Sequence, residues 1–312
     1  MLAPDAHVYI AGHRGMVGSA VWRQFANHGV THLTGHASSE VDLRDRDAAF
    51  DAITSANPDV LVLAAAKVGG IWANSSVPVQ FLNDNLRIQT NVFEAAHEAD
   101  VQRLLFLGSS CIYPKYAPQP IPESALLTGE LEPTNKAYAL AKIAGIMAVQ
   151  AYREQYGRRW ISAMPTNLYG PRDNFDPQTS HVLPALISKF HDAVVTQNSA
   201  VTLWGTGTPL REFLHVDDLA NACHMLLDHY DGAEQVNVGT GEDVSIADLA
   251  NLIAQATGYS GEVQWDTSKP DGTPRKLLDI AKIQAFGFSP QVSLEVGIAA
   301  TYAWYRDNIA GN

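Results

Sequence analysis

Tyr138 and Lys142 lie four residues apart in the segment "PTNKAYALAKIAG". On a helix, this spacing projects both side chains from one face. An ammonium group beside a phenol favours the phenolate, so we expect Lys142 to lower the pKa of Tyr138. The pair could then donate a proton to a carbonyl oxygen or accept one from an alcohol.

A second group of reactive side chains occurs in "GSSCIYP", directly after the apolar run at 101–107. Ser109 and Cys111 lie where a buried strand is expected to end. Ligands of open parallel sheets bind at the carboxyl ends of the strands, which favours a functional place for Ser109. A lone cysteine is more often a small buried hydrophobe than a reactive group, and the residues alone leave that alternative open for Cys111.

Three glycines, Gly12, Gly15 and Gly18, separate a strand-like from a helix-like segment in "VYIAGHRGMVGSAVWRQF". Their spacing, G-x-x-G-x-x-G, is one residue longer in the first gap than the dinucleotide fingerprint. Glycine permits the tight turn, the close approach of a pyrophosphate and the packing of helix on strand. The segment predicts a dinucleotide site, although a purely structural turn would also use glycines.

The end of the second predicted strand bears on which dinucleotide binds. A site for NAD usually has an acidic residue there for the ribose 2′-hydroxyl, whereas "LTGHASSE" has Gly35, His36 and Ser38. Arg14, with no opposing carboxylate evident, favours NADP with weak discrimination against NADH. We therefore predict NADP(H), bound by Gly12, Arg14, Gly15, Met16, Val17, Gly18, His36, Asp42 and Lys142.

Strand-like runs alternate with helix-period segments through the first half of the chain. Helices are expected over about 19–28, 44–56, 81–99 and 135–156, between the apolar runs "HVYIAG", "VTHLTG", "DVLVLAAA", "RLLFLGSS" and "WISAMPTN". This alternation predicts a doubly wound parallel α/β sheet of the Rossmann type. Residues 1–172 and 213–241 are expected to form this domain, and 173–212 and 242–312 a smaller mixed α/β lobe that binds substrate.

Charge and cysteine content narrow the classes of partner. The chain has 312 residues and a net charge of −12, which argues against nucleic-acid and membrane partners. Its two cysteines, Cys111 and Cys223, have no paired spacing, which indicates a reducing compartment, and "MLAPDAH" lacks the features of a signal peptide. We expect a cytoplasmic protein without a metal site.

Together these segments resemble the extended short-chain dehydrogenases/reductases and, within them, the GDP-L-fucose synthase family. The glycine loop and Y-x-x-x-K are typical of the superfamily, whereas "GSSCIYP", "SHVLPALI" and "KPDGTPRKLLD" are specific to this branch. The resemblance implies conversion of GDP-4-dehydro-6-deoxy-D-mannose to GDP-L-fucose, by C3 and C5 epimerisation through enolates and NADPH-dependent reduction at C4. It also implies a homodimer that pairs through the helix with Tyr138 and its neighbour.

The resemblance also implies roles for particular residues. Ser109 and Tyr138 match the residues that bind the ketone oxygen, Cys111 and His181 match the base and acid of epimerisation, and Lys142 matches the cofactor-orienting lysine. Substrate contacts are implied for Asn167, Lys189, Trp204, Arg211 and Lys276. The GDP pyrophosphate is expected among the basic residues Arg211, Lys269, Arg275 and Lys276, because the rest of the surface is acidic. Only Arg211 and Lys276 lie in segments specific enough to be assigned to it, and Lys269 and Arg275 could equally be ordinary surface charges.

Two other functions fit the same fold. One is a different nucleotide-sugar enzyme, either a 4-reductase without epimerisation or a 4-epimerase, and the presence of Cys111 and His181 argues against it. The other is a dinucleotide sensor without catalysis, which the presence of Ser109, Tyr138 and Lys142 disfavours.

Overall fold

The structure is a computed structural model that describes residues 2–3, 5–176, 179–269 and 271–311. The strands in these residues are β1 His7–Ala11, β2 His32–Thr34, β3 Val60–Leu63, β4 Arg103–Leu107, β5 Arg159–Pro165, β6 Asn167–Tyr169, β7 Ala200–Trp204, β8 Leu210–Arg211, β9 Phe213–His215, β10 Val236–Val238, β11 Val244–Ser245, β12 Glu262–Asp266 and β13 Arg275–Lys276. The α-helices are α1 Met16–Asn27, α2 Arg46–Ala56, α3 Ile71–Ser76, α4 Pro78–Glu98, α5 Lys136–Tyr156, α6 Val182–Val195, α7 Val216–His229, α8 Ile246–Thr257, α9 Ala281–Gln284 and α10 Leu294–Tyr305.

A six-stranded parallel sheet in the order β10-β5-β4-β3-β1-β2 forms the centre of the larger domain. All four residues of β3 are buried, as expected for a strand with both faces covered. The strand order reverses between β1 and β3, and ligands of doubly wound sheets bind at such a switch point. The predicted fold class is therefore confirmed, and the glycine loop after β1 lies at the switch point.

Helices cover this sheet in two groups. Helix α1 packs against α7, while α4 lies against both α2 and α5. Cys223 on α7 is fully buried in the core. Helix α5 ends at Gly157, whose left-handed φ of 68° terminates the helix without strain. Within the described ranges, no helix combines the length and apolar character needed to cross a membrane.

A second hydrophobic core lies among α6, α8, α10 and the short strands of the smaller lobe. Strands β7 and β12 pair in parallel, and β8 pairs with β11 on one side and β13 on the other. The proposed division into domains stays a prediction, and its outer limits, residues 1 and 312, lie outside the described residues. The two-residue strand β13 carries Arg275 and Lys276 into this lobe.

Candidate active site

The glycine loop joins β1 to α1 with almost no room for side chains. Gly12 has φ of 87°, and a Cβ built on it would lie 2.8 Å from the backbone nitrogen of Ala65. A Cβ on Gly18 would lie 2.1 Å from the carbonyl oxygen of Gly12, which is closer than any real contact. Gly15 is less constrained, since its Cβ would be 3.4 Å from the same oxygen. Gly12 and Gly18 therefore require glycine for close packing, as predicted from the motif.

The start of α1 fits a dinucleotide phosphate. Its N-cap residue, Gly15, makes no side-chain capping bond, and its first turn, which includes Met16 and Val17, contains no acidic residue. The free N–H groups and the positive end of the helix dipole both favour an anion at this position. This geometry is a cradle for the pyrophosphate of a dinucleotide.

Arg14 has a carboxylate neighbour that the sequence analysis did not anticipate. Its Nη2 lies 3.7 Å from Oε1 of Glu40, with the two side chains 64% and 52% exposed. Glu40 also accepts a hydrogen bond from the backbone nitrogen of Ala37, which is the main cause of its lowered pKa. The expectation that Arg14 lacks an opposing carboxylate was wrong, because the chain after β2 turns back toward the glycine loop.

The other two residues predicted near the adenosine end have partners of their own. His36 Nδ1 lies 3.1 Å from the hydroxyl of Tyr9. Asp42 accepts hydrogen bonds from the backbone nitrogen and the guanidinium group of Arg44, which lower its pKa. Both side chains are at least partly accessible, and their contact with a cofactor stays a prediction.

Tyr138 and Lys142 lie in the first half of α5, beside the end of β4. Lys142 is only 3% exposed, and its Nζ donates a hydrogen bond of 2.8 Å to the carbonyl oxygen of Leu107. Its Nζ is 5.8 Å from the centroid of the Tyr138 ring and 4.9 Å from that of Phe106. The helix therefore places the two side chains on one face, as the spacing predicts.

The pKa values of this pair depend mainly on burial. Burial lowers the pKa of Lys142 from 10.5 to about 7. Burial also raises the pKa of Tyr138, the charge of Cys111 raises it further, and a hydrogen bond with Ser109 opposes the rise. The predicted direction for Tyr138 was wrong for this state of the protein, because desolvation exceeds any effect of Lys142. The phenol is therefore protonated at neutral pH.

Ser109, which follows β4, contacts the backbone of Cys111 and the side chain of Tyr138. It is the N-cap of the short 3-10 helix Ser110–Ile112, and its Oγ accepts a hydrogen bond of 3.2 Å from the backbone nitrogen of Cys111. Ser109 also forms the hydrogen bond with Tyr138 that opposes the rise in its pKa. Cys111 is partly buried, unlike the fully buried Cys223. The structure thus brings Ser109, Cys111 and Tyr138 together at the carboxyl end of β4.

Two donors contact the sulfur of Cys111. The side-chain nitrogen of Asn135 lies 3.3 Å from it, and Nζ of Lys276 lies 3.4 Å from it. Asn135 was not predicted as a site residue, although its place three residues before Tyr138, at the entry to α5, is a signal that could have indicated it. Lys276 was predicted as a substrate contact, and its contact with the cysteine was not anticipated.

His181 is the N-cap residue of α6, where its side chain makes no capping bond and is exposed. Although reachable by solvent, it is surrounded by protein, and this desolvation lowers its pKa, with the ammonium of Lys276 as the second cause. Lys276 therefore acts electrostatically on His181 and contacts Cys111, which brings the predicted acid and base into one region.

The remaining predicted substrate residues lie in the smaller lobe or at its edge. The amide of Asn167 donates a hydrogen bond of 2.7 Å to the carbonyl oxygen of Glu212. Nζ of Lys189 donates one of 2.8 Å to the carbonyl oxygen of Thr202. Trp204, at the end of β7, is 64% exposed and has Nζ of Lys269 5.7 Å from its ring centroid.

The four basic residues expected at the pyrophosphate do not form one cluster. Arg275 forms an ion pair with Asp243, and Lys269 lies over Trp204. Arg211 and Lys276 are directly opposite each other in the parallel pair of β8 and β13. Burial lowers the pKa of Arg211, while the carboxylates of Asp271 and Glu132 oppose this. A contact of Arg211 with the GDP pyrophosphate stays a prediction.

Comparison with known protein families agrees with this geometry. The family described as the NAD dependent epimerase/dehydratase family matches residues 8–239, from β1 to just beyond β10. The matched region contains the glycine loop, the cysteine segment and the helix with Tyr138 and Lys142. The fold and site thus define a dinucleotide-binding enzyme of this class.

Individual relatives match over nearly the whole chain. GDP-L-fucose synthase 1 of Arabidopsis thaliana is 56% identical over 98% of this chain and 94% of that protein. GDP-L-fucose synthase of Escherichia coli K12 is 52% identical over 96% of this chain and 97% of that protein. A crystal structure of a GDP-L-fucose synthetase from Naegleria fowleri bound to NADP has a TM-score of 0.92 at 29% identity, covering 99% of this chain and 97% of that one. The chain therefore belongs to the NAD dependent epimerase/dehydratase family and, within it, to the GDP-L-fucose synthases.

Proposed function

We propose that Ser109, Cys111, Tyr138, Lys142 and His181 together perform the reaction of this family. That reaction converts GDP-4-dehydro-6-deoxy-D-mannose to GDP-L-fucose by epimerisation at C3 and C5 followed by NADPH-dependent reduction of the C4 ketone. The observation that carries these roles is the contact of one serine with both Cys111 and Tyr138 at the end of β4. It places a candidate base for carbon beside a candidate donor to a ketone oxygen.

Epimerisation requires a base, an acid and a stabilised oxyanion. The C4 ketone acidifies the protons at C3 and C5, and Cys111 takes one of them, which leaves an enolate. Ser109 and Tyr138 donate hydrogen bonds to the enolate oxygen, where the negative charge develops. His181 returns a proton to the other face of the carbon, which inverts its configuration.

Reduction at C4 uses the same tyrosine. The cofactor is NADP(H), which supplies the hydride to C4 when bound. Tyr138 donates its phenolic proton to the ketone oxygen, a role that suits a phenol held protonated by burial. Lys142, whose buried Nζ lies 5.8 Å from the centroid of the Tyr138 ring, would orient the ribose of the cofactor. The glycine loop and the uncapped start of α1 hold the pyrophosphate of the cofactor.

The nucleotide part of the substrate is proposed to bind the smaller lobe. Arg211 pairs with the pyrophosphate, because a guanidinium fork matches phosphate geometry. Trp204 offers an exposed aromatic face, and Asn167 and Lys189 supply polar contacts. Lys276, which the resemblance also implies as a substrate contact, lies against the sulfur of Cys111.

Assembly and location are also proposals. Leu140 and Met147 lie seven residues apart on α5 and are partly exposed, which supports a homodimer through α5 and its neighbour α4. Light scattering at micromolar concentration should give twice the chain mass.

Two unpaired cysteines and the acidic composition support a cytoplasmic location.

Incubation with GDP-4-dehydro-6-deoxy-D-mannose and NADPH in deuterated water tests the function. Wild-type protein should consume NADPH and form GDP-L-fucose with deuterium at C3 and C5, whereas Cys111→Ser should lose this exchange. Consumption of NADPH without deuterium at either carbon would show a plain 4-reductase and would refute the role of Cys111. A Cys223→Ser variant, altered at the buried cysteine, is the matched control.

A further inference from the structure

The sulfur of Cys111 has two nitrogen donors from distant parts of the chain. Asn135 Nδ2 lies 3.3 Å away, at the entry to α5, and Lys276 Nζ lies 3.4 Å away, on β13. Both distances are hydrogen-bond distances for sulfur, and only Lys276 carries a full positive charge. A thiolate is stabilised by a neighbouring cation, and the thiolate is the reactive form of cysteine.

The backbone fixes Lys276 beside the cysteine segment. Ile121, ten residues after Cys111, donates from its backbone nitrogen to the carbonyl oxygen of Leu277 at 2.8 Å, and accepts from Asp279 at 2.9 Å. The backbone nitrogen of Leu277 also donates to Oε1 of Gln119 at 2.8 Å. These bonds tie the residues after Lys276 to the segment that follows Cys111, so the contact between Nζ and sulfur follows from the fold.

Glu212 restrains the same segment from its other side. Its side chain is fully buried and accepts hydrogen bonds from the backbone nitrogens of Leu278, Thr240 and Gly241 at 3.0, 2.7 and 2.8 Å. Each acceptor oxygen of this carboxylate is therefore engaged with backbone, and neither is a partner for the ammonium of Lys276. The ammonium of Lys276 acts instead on Cys111 and His181.

The side chains of Lys276 and its neighbour Arg275 point to opposite faces of β13. Successive side chains of a strand point to opposite faces, and Arg275 forms its ion pair with Asp243. Lys276 points to Cys111 and lowers the pKa of His181, which burial already lowers. Both effects disfavour the imidazolium form of His181, so the ammonium of Lys276, in direct contact with the sulfur, is the better-placed counter-charge for a thiolate.

We propose that Lys276 is a positioning residue that acts through Cys111. It stabilises the thiolate of Cys111 for proton abstraction at C3 and C5, and it does not bind the nucleotide pyrophosphate. This inference rests on the proposed role of Cys111 as the base. In the step, the C–H bond breaks, the proton joins the sulfur, and the electron pair moves to the enolate oxygen. Lys276 transfers no proton in this step.

Alkylation by iodoacetamide at pH 7 tests the contact without substrate or cofactor. Cys223 is fully buried, and burial raises its pKa to about 12, so alkylation reports on Cys111. Lys276→Met should slow alkylation of Cys111 about tenfold or more, Lys276→Arg should restore most of the rate, and Arg275→Met should leave it unchanged. An unchanged rate in Lys276→Met would overturn the proposal, and Lys276→Gln repeats the test if the methionine variant does not fold.

Steady-state kinetics separate this role from phosphate binding. Lys276→Met should lower the kcat of deuterium exchange about a hundredfold while changing the KM of the GDP-sugar less than threefold. Arg211→Met should instead raise the KM of the GDP-sugar and leave the kcat of exchange nearly unchanged. A tenfold rise in KM with unchanged exchange kcat for Lys276→Met would identify a pyrophosphate ligand. If wild-type protein forms no GDP-L-fucose, the proposed function fails, whereas the alkylation result still decides the Lys276 contact.

Discussion

The cofactor half and the sugar half of the active site are built in different ways. The cofactor half consists of the glycine loop, the end of β4 and the start of α5, all of which belong to one continuous sheet and its first helices. The proposed sugar half consists of His181, at the start of α6, with Arg211 and Lys276, which lie opposite each other on the short strands β8 and β13. Local sequence therefore determines the first half, whereas pairing between distant segments determines the second.

The two halves also control charge differently. In the cofactor half, burial sets the protonation of Tyr138 and Lys142. In the sugar half, burial is again the main cause of the lowered pKa of His181, but the ammonium of Lys276 lowers it further. Loss of a single buried group should therefore change activity or stability more than a change in an exposed ion pair.

The largest effect is expected at Tyr138. Tyr138→Phe removes the proton donor for reduction, so kcat for NADPH oxidation should fall about a thousandfold, within the range of general acid catalysis. Stopped-flow absorbance of NADPH measures this rate. Tyr156→Phe, on the same helix and 50% exposed, is the control and should retain wild-type activity. A loss below tenfold for Tyr138→Phe would exclude the tyrosine as the essential acid.

Lys142 should make the stability of the cofactor-free protein depend on pH. Its pKa is about 7 in the folded protein against 10.5 when solvated, so between these values the unfolded chain binds the extra proton. Stability relative to Lys142→Met should therefore rise from pH 7 to pH 10, by up to about 4 kcal/mol, and stay constant below pH 7.

Urea denaturation of the cofactor-free proteins at several pH values measures this difference. Lys136→Met alters an exposed lysine on the same helix and should show no such rise between pH 7 and pH 10. A pH-independent difference for Lys142→Met would mean that the lysine is protonated in the folded protein despite its burial.

Gly18 and Gly15 form a matched pair within the glycine loop. Gly18→Ala forces a methyl group against the carbonyl of Gly12, so the free energy of unfolding should fall by about 1–3 kcal/mol and NADPH binding should weaken. Gly15→Ala has room for its methyl group and should change stability by less than about 0.5 kcal/mol. Thermal melting and NADPH titration measure both variants, and equal effects would contradict the packing argument.

The same contrast explains what the sequence could predict. The glycine spacing and the four-residue interval between Tyr138 and Lys142 are local patterns, and the fold class follows from alternating periodicity. Burial is a property of the assembled fold, so the direction of the Tyr138 pKa could not be obtained from its spacing to a lysine. The partners of Arg14 and Lys276 were missed because each depends on how distant segments meet.

His181 marks the limit of reasoning from residues alone. A histidine at a helix start is not distinctive by type or spacing, and its predicted role came from the resemblance of "SHVLPALI" to the family. The structure adds the electrostatic influence of Lys276, a residue from the other end of the lobe. Such a constellation becomes recognisable only after β13 is placed beside β8, because neither two-residue strand has a periodic pattern.

The smallest effect is expected at the exposed pair of Arg14 and Glu40. Glu40→Gln removes the carboxylate that competes with a 2′-phosphate for Arg14, so the preference for NADPH over NADH should rise about twofold. Because both side chains are more than half exposed, the gain should shrink as salt increases. The ratio of kcat/KM for the two cofactors measures it, with Glu98→Gln on α4 as the control. Glu40→Gln could leave the ratio of kcat/KM for NADPH over NADH unchanged while Arg14→Met lowers it. That result would show that the ion pair of Arg14 and Glu40 breaks at no cost when the cofactor binds.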